Sequence, residues 1–495
     1  MRRWILGLSA AAACAGLLYL VRKYPVSQTG GLFGASGSDQ VEESSASHVA
    51  PTSPDGKAPR ETSASAAGFS GAPSTLAGLD LLHIAVDDEG TTAPLPNQGV
   101  ARLSLDPELQ RTANSLLASR HLPLAAVVMV DPTTGHVLAY ASHVESGPAR
   151  DLCAEASAPA ASVFKIVTGT ALVDAEGLGP DARECYAGGG MQRISALDLA
   201  DNPRRDRWCI TLSDAMGKSI NPVFARLALR RLKPKSLEET AFAYGFGQKV
   251  PFDVDVQPSS LELPPEPLEY ARTAAGFFHT TLSPMQAAAI STTLARGGEA
   301  VRLRIVREAM DGEGKPIYAE PEKPSLRRIM KPETAQAVAT MMEHTITEGT
   351  SYRAFRDGAG RPFLRGIAVA GKTGTLSDPE SGRLYTWFTG FAPSRPVANV
   401  KPVAIATLVV NDPAWSIKAN VVAREMLRTY FAQQGVEHVS RPGVALSSQR
   451  QHASRGRGAA EPPTTRKSPE PAKRLKPGQP VLSAMASSRP RTSRR

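Results

Sequence analysis

Only the middle of this chain can build a hydrophobic core, and that restriction precedes every assignment of helix or strand. Over residues 26–100 there are nine acidic residues and two basic ones, set among runs such as SSASHVAPTSPDGKAPRETSASAAG. So few large apolar side chains cannot offset the entropy lost on ordering, and the segment reads as a disordered Ser/Gly/Pro linker. Residues 437–495 read as a basic disordered tail, with thirteen bases and two acids from Arg441 onward. Residues 101–436 remain as one folded domain, long enough for a single enzyme with insertions.

The net charge of +10 suggests nucleic acid until it is located. The tail holds +11, the linker −7 and residues 1–25 +4, which leaves +2 for the folded part. A groove that tracks phosphates concentrates its basic residues in the folded part, so no nucleic-acid partner is expected. Residues 4–21 (WILGLSAAAACAGLLYLV) carry no charge and are flanked by Arg2-Arg3 and Arg22-Lys23. As a helix they would reach about 27 Å, enough to cross a bilayer. A cleaved signal has a shorter apolar run and then a small-residue cleavage site, so residues 1–25 read as a signal-anchor transmembrane helix. The cysteines are Cys14, Cys153, Cys185 and Cys209. A Cys185–Cys209 bridge and free thiols are both open. No Cys/His group has zinc spacing, and neither metal nor cofactor is expected.

Within the folded part, Asp106-Pro107 opens an amphipathic helix, with proline at the first helical position. AAVVMV and HVLAYAS flank a turn at 131–135 and read as a hairpin. Further helices are expected from about Ser162, from about Thr211 (with Asp214 placed for a capping box), from Ser283 and over 331–346. Strands are expected at 366–371, 385–391 and 403–410, before a last helix over 416–431. Strands early and late with helices between predict an α+β fold, one antiparallel sheet flanked by helices.

Lys165 is the one charged residue in SAPAASVFKIVTGTALV, and Ser162 precedes it by three positions, on the same face of a helix. A desolvated amine loses its proton readily, and beside a hydroxyl it becomes a general base beside a nucleophile. Ser219 and Asn221 fall in a helical context that Pro222 is expected to break immediately after the asparagine. Lys372-Thr373-Gly374-Thr375 follows an apolar strand, and Gly374 leaves room for a substrate backbone at the strand edge.

In this order, S-x-x-K, S-x-N and K-T-G resemble the penicillin-binding protein and serine β-lactamase superfamily. LSLDPELQRTANSLL, PAASVFKIVTG, TLSDAMGKSINPVFARLA, TTLSPMQAAAI and KTGT with YTWFTGFAPS resemble its transpeptidase branch over residues 101–434. The resemblance implies a peptidoglycan D,D-transpeptidase that cross-links D-Ala-D-Ala stem peptides through a serine acyl-enzyme and is inhibited by β-lactams. It implies Ser162 as nucleophile, Lys165 as base, Ser219 as proton relay and Asn221 as a holder of the substrate backbone. Lys372 would keep the site positive, Thr373 and Thr375 would bind a carboxylate, and the N–H groups of Ser162 and Thr375 would form the oxyanion hole. The catalytic domain would face outward from the cytoplasmic membrane, with the basic tail against acidic envelope polymers.

No glycosyltransferase domain or pedestal is recognisable before the transpeptidase, so the chain reads as monofunctional and class B-like. Two other functions stay open. One is hydrolysis, as in a D,D-carboxypeptidase or β-lactamase; Glu266 and Glu269 in LELPPEPLEY faintly resemble the acidic loop of class A β-lactamases, without the asparagine expected there. The other is a non-catalytic β-lactam sensor or cell-wall scaffold.

Overall fold

The computed structural model describes residues 69, 71–188, 193–378, 381–413, 416–436 and 439. Five antiparallel strands make the central sheet, in the order Ala370–Ser377, Leu384–Ala392, Val403–Asn411, Leu124–Val130, Val137–Val144. The early hairpin therefore completes the sheet beside the last strand, as an α+β fold requires. Strand Val403–Asn411 is buried along its whole length. Ala404, Ala406, Leu408 and Val410 face one core, which also contains Met285, Ile290 and Leu294 of helix Pro284–Ala295. Ile405 and Val409 face another, filled by helices Pro107–Ala118 and Ala419–Gln433. Burial of both faces is why these strands read as continuous apolar runs.

The helix starts follow local chemistry. Asp106 accepts a hydrogen bond from the Leu109 N–H, and Ser283 accepts one from the Gln286 N–H, each with proline next in the chain.

Residues 71–100 depart from the expected linker. Strands Ala85–Val86, Thr91–Pro94 and Val100–Leu103 join Val306–Met310 and Pro316–Ala319 in a second five-stranded sheet. Leu76, Leu81, Ala93 and Leu95 are buried in the core that also holds Phe164 and Val167. The inward residues of Thr91–Pro94 are small and the strand has only four residues, so its alternation is faint. Averaging it with the polar stretch before it removes the signal.

A further difference concerns the site. The strand expected at 366–371 is Ala370–Ser377, so the K-T-G-T residues lie within it. Its span is set by pairing with Leu384–Ala392, which no local pattern reveals. Cys185 and Cys209 are bridged, at directly opposed positions of strands Arg183–Tyr186 and Trp208–Thr211. Among the described residues no helix is long and apolar enough to cross a membrane. The expected anchor at 4–21, the linker as far as residue 68 and the tail from residue 440 lie outside the described residues.

Candidate active site

Helix Lys165–Glu176 is the buried centre of the helical layer; Lys165 through Leu172 are all enclosed, as suits a helix apolar on every side. Ser162 is not in that helix. It lies in the 3₁₀ turn Ala161–Phe164, entered through Ala161 at φ +49°. In 3₁₀ geometry the side chains at i and i+3 eclipse, so the turn stacks Lys165 over Ser162. Their Nζ and Oγ atoms are 2.9 Å apart.

Lys165 is fully enclosed and has only neutral partners. Besides Ser162, its Nζ reaches Asn221 Oδ1 at 2.6 Å and the Ala275 carbonyl oxygen. The Phe224 ring centroid lies 5.7 Å away. Burial, helped by the positive charge of Lys372, holds the amine well below the usual lysine range. A neutral amine has two N–H donors and one lone pair. With the donors on Asn221 and Ala275, the lone pair is left for the Ser162 O–H.

Ser219 and Asn221 come from the junction of helices Leu212–Gly217 and Asn221–Arg231. Pro222 was expected to break a helix after Asn221; instead it occupies the first turn of the second helix, where its missing N–H costs no hydrogen bond. The break comes earlier, at Ser219, whose φ is +57°. The Ser219 Oγ accepts from Lys372 Nζ at 2.9 Å, and the same amine donates to the Thr373 carbonyl at 2.8 Å. Lys372 is also fully buried, and burial brings its pKa down to about 7.

Strand Ala370–Ser377 is the outermost strand of the central sheet, so among the described residues one of its edges has no strand partner. A Cβ placed on Gly374 would lie 3.2 Å from Ala161 Cβ and 3.3 Å from the Ala160 carbonyl oxygen. The glycine thus lets Thr373 and Thr375 approach the Ser162 turn. Of the eight expected residues, Ser162, Lys165 and Asn221 are joined by hydrogen bonds, Ser219, Lys372 and Thr373 by others, and Gly374 packs against the Ser162 turn, with Thr375 next along the strand.

The segment opposite carries no motif in the sequence. Gly276 has φ +83°, and a Cβ there would lie 2.2 Å from the Ala161 carbonyl oxygen. That close approach carries the Ala275 carbonyl to Lys165; the signal available was a lone glycine inside an alanine-rich run. Glu266 is exposed, while Glu269 pairs with Arg272 at 2.6 Å. Among the described residues no carboxylate is hydrogen-bonded to Ser162 or Lys165. Asp214, His344 and Glu348 come together on the outer side of the Ser219 junction. The Lys218 ammonium already sits 3.5 Å from Asp214 and 4.0 Å from Glu348, so the group reads as an ion-pair network.

A serine stacked under a buried lysine, beside a sheet edge, is an arrangement suited to a serine acyl-transfer enzyme. The chain belongs to the penicillin-binding protein transpeptidase family: the pattern of the "Penicillin binding protein transpeptidase domain" matches residues 125–427. The peptidoglycan D,D-transpeptidase PbpA of Mycobacterium tuberculosis H37Rv is 25% identical over 351 residues, covering 64% of this chain and 68% of the relative. Solved structures share the fold. The D,D-transpeptidase domain of a peptidoglycan glycosyltransferase from Eggerthella lenta has TM-score 0.56 and 23% identity, covering 68% of this chain and 83% of that one. Penicillin-binding protein A of M. tuberculosis as an imipenem acyl-enzyme has TM-score 0.54 and 21% identity, covering 67% and 80%.

Proposed function

We propose that the cleft performs D,D-transpeptidation on peptidoglycan stem peptides. The supporting observation is the 2.9 Å contact between Ser162 Oγ and an enclosed, acid-free Lys165 Nζ. Lys165 takes the hydroxyl proton as Oγ bonds to the penultimate D-Ala carbonyl carbon. The N–H groups of Ser162 and Thr375 hold the oxyanion, each worth roughly 2.7–4 kcal/mol of barrier. The C–N bond then breaks, and the departing D-Ala amine takes a proton relayed through Ser219. Asn221 holds the donor backbone, and the open edge of Ala370–Ser377 pairs with it as an added strand. Lys372, Thr373 and Thr375 bind the terminal carboxylate. An acceptor amine from a neighbouring stem repeats the steps in reverse, forming the cross-link and freeing Ser162. A β-lactam enters the same way, but its ring-opened leaving group stays tethered.

Glu269 is engaged by Arg272, and among the described residues no carboxylate is hydrogen-bonded to Ser162 or Lys165 to activate water at the acyl-enzyme. This favours an amine acceptor over hydrolysis. With such a substrate, residues 4–21 anchor the chain in the cytoplasmic membrane, the catalytic domain is extracytoplasmic and the basic tail meets acidic envelope polymers. Deletion of residues 441–495 should weaken sacculus binding at low salt; unchanged binding removes the tail from this role.

The test is to incubate the full chain, in detergent, with a fluorescent penicillin and then with a D-Ala-D-Ala pentapeptide plus an acceptor amine. A covalent adduct lasting many minutes, absent in Ser162→Ala, and an amide product by mass spectrometry are expected. Rapid label turnover would make the chain a β-lactamase, a tetrapeptide alone would make it a carboxypeptidase, and no adduct would leave a scaffold.

A further inference from the structure

Thr373 has a neighbour that the sequence reading did not name. Thr350, on the turn after helix Pro332–Thr347, places its Oγ1 2.6 Å from Thr373 Oγ1. At that distance the two hydroxyls share a hydrogen bond. Main-chain contacts hold Thr350 in place: its N–H donates to the Gly217 carbonyl at 3.0 Å. A Cβ on Gly349 would lie 2.2 Å from that same carbonyl oxygen, and one on Gly217 would lie 2.6 Å from the His344 carbonyl carbon. Two residues beyond Gly217 is Ser219, the partner of Lys372. Thr350 therefore sits where the Ser219 junction, the end of a long helix and the K-T-G-T strand meet. Its side chain is exposed, so packing does not explain where its hydroxyl points.

Proton counting gives the bond a direction. A threonine hydroxyl has one proton to donate and two lone pairs to accept with. When Thr373 gives its proton to a carboxylate, the 2.6 Å bond runs from the Thr350 O–H to Thr373 Oγ1. Resting on the reading of Thr373 as a carboxylate-binding residue, we propose that Thr350 is a positioning residue for that recognition. It donates to Thr373, sets the hydroxyl rotor and aims its proton at the terminal carboxylate of a D-Ala-D-Ala peptide or a β-lactam. Linked hydrogen bonds polarise one another, and those ending on a charged acceptor gain most.

The experiment compares benzylpenicillin with its methyl ester, which lacks the carboxylate. Second-order acylation constants are measured on the full chain in detergent for wild type, Thr350→Val, Thr350→Ser and Thr373→Val. Thr350→Val should slow the acid by about tenfold or more, leave the ester within about twofold, and be rescued by Thr350→Ser. An equal loss for acid and ester would mean a structural role, and no loss for either would mean no role; both overturn the proposal. If Thr373→Val fails to separate acid from ester, the reading of Thr373 itself fails, whatever Thr350 does. The acid-to-ester ratio is taken within one preparation, so a poorly folding variant still reports, and Thr350→Ala provides a second reading.

Discussion

Two enclosed amines, Lys165 and Lys372, cannot both carry a charge cheaply, and the site separates their tasks by environment. Burial holds Lys165 well below the usual lysine range, as suits the proton acceptor proposed for it, and brings Lys372 down to about 7, below which that amine supplies positive charge. The acylation constant at low substrate should therefore fall as pH rises through about 7. At saturation a bound carboxylate favours charged Lys372 and should move that limb upward. Identical limbs in both pH profiles would remove Lys372 from carboxylate binding. Stability follows the same shift. Unfolded lysine titrates near 10.5 and folded Lys372 near 7, so between these values the unfolded chain binds more protons and stability rises with pH. Urea midpoints should show Lys372→Met more stable than wild type at pH 7, with the gap closing toward pH 10. For Lys165 the informative change is to arginine, which keeps its proton. Acylation should drop by ~10²–10⁴-fold, the usual value of general-base help; a smaller loss would point to another base.

At the scale of the elements, the cleft depends on close approaches that only small residues allow. Gly276→Ala forces a left-handed backbone on alanine and drives its Cβ against the Ala161 carbonyl. It should cost about 2 kcal/mol in urea unfolding and slow acylation, because Ala275 moves away from Lys165. Wild-type acylation in this variant would show that Ala275 does not hold the base. The disulfide hairpin supports the same centre from outside. Arg226, on the helix begun by Asn221, reaches the Cys185 carbonyl and lies 2.6 Å from Asp206, while Arg272 reaches the Ile194 carbonyl at 2.6 Å. Closing a loop of sequence separation 24 is worth roughly 3.5 kcal/mol in the chain-entropy model. Reductant should therefore lower the urea midpoint of wild type but not that of a Cys185→Ser/Cys209→Ser chain. The legibility of these parts differs for a physical reason. Ser162, Lys165, Ser219, Asn221 and the K-T-G-T residues were readable because they fall in short motifs whose joint order resembles the transpeptidase family, though each motif alone is weak. Ala275, Gly276, Gly349 and Thr350 act through main-chain contacts or through a neighbour distant in sequence, and local text records neither.

Over the whole molecule, the central sheet brings residues more than two hundred positions apart into adjacent strands. Strand Val403–Asn411 pairs with Leu124–Val130, so the domain cannot close before its last strand is present. The long apolar strands and capped helices made this α+β architecture readable. The second sheet was hidden because its strands are short and most of the earlier segment is polar. That sheet gives the expected start of the domain at residue 101 a measurable consequence. Its strand Val100–Leu103 pairs with Thr91–Pro94 on one side and Val306–Met310 on the other. A chain beginning at residue 101 would expose one edge of the sheet and lose Leu76, Leu81 and Leu95 from the core. Each buried leucine is worth roughly 1.5–3 kcal/mol, and an exposed edge invites pairing between copies. Compared with a chain beginning at residue 69, it should unfold at several kcal/mol lower stability and associate at micromolar concentration. Urea unfolding and light scattering on the two truncated chains decide this: equal midpoints with both monomeric would return residues 71–100 to the linker.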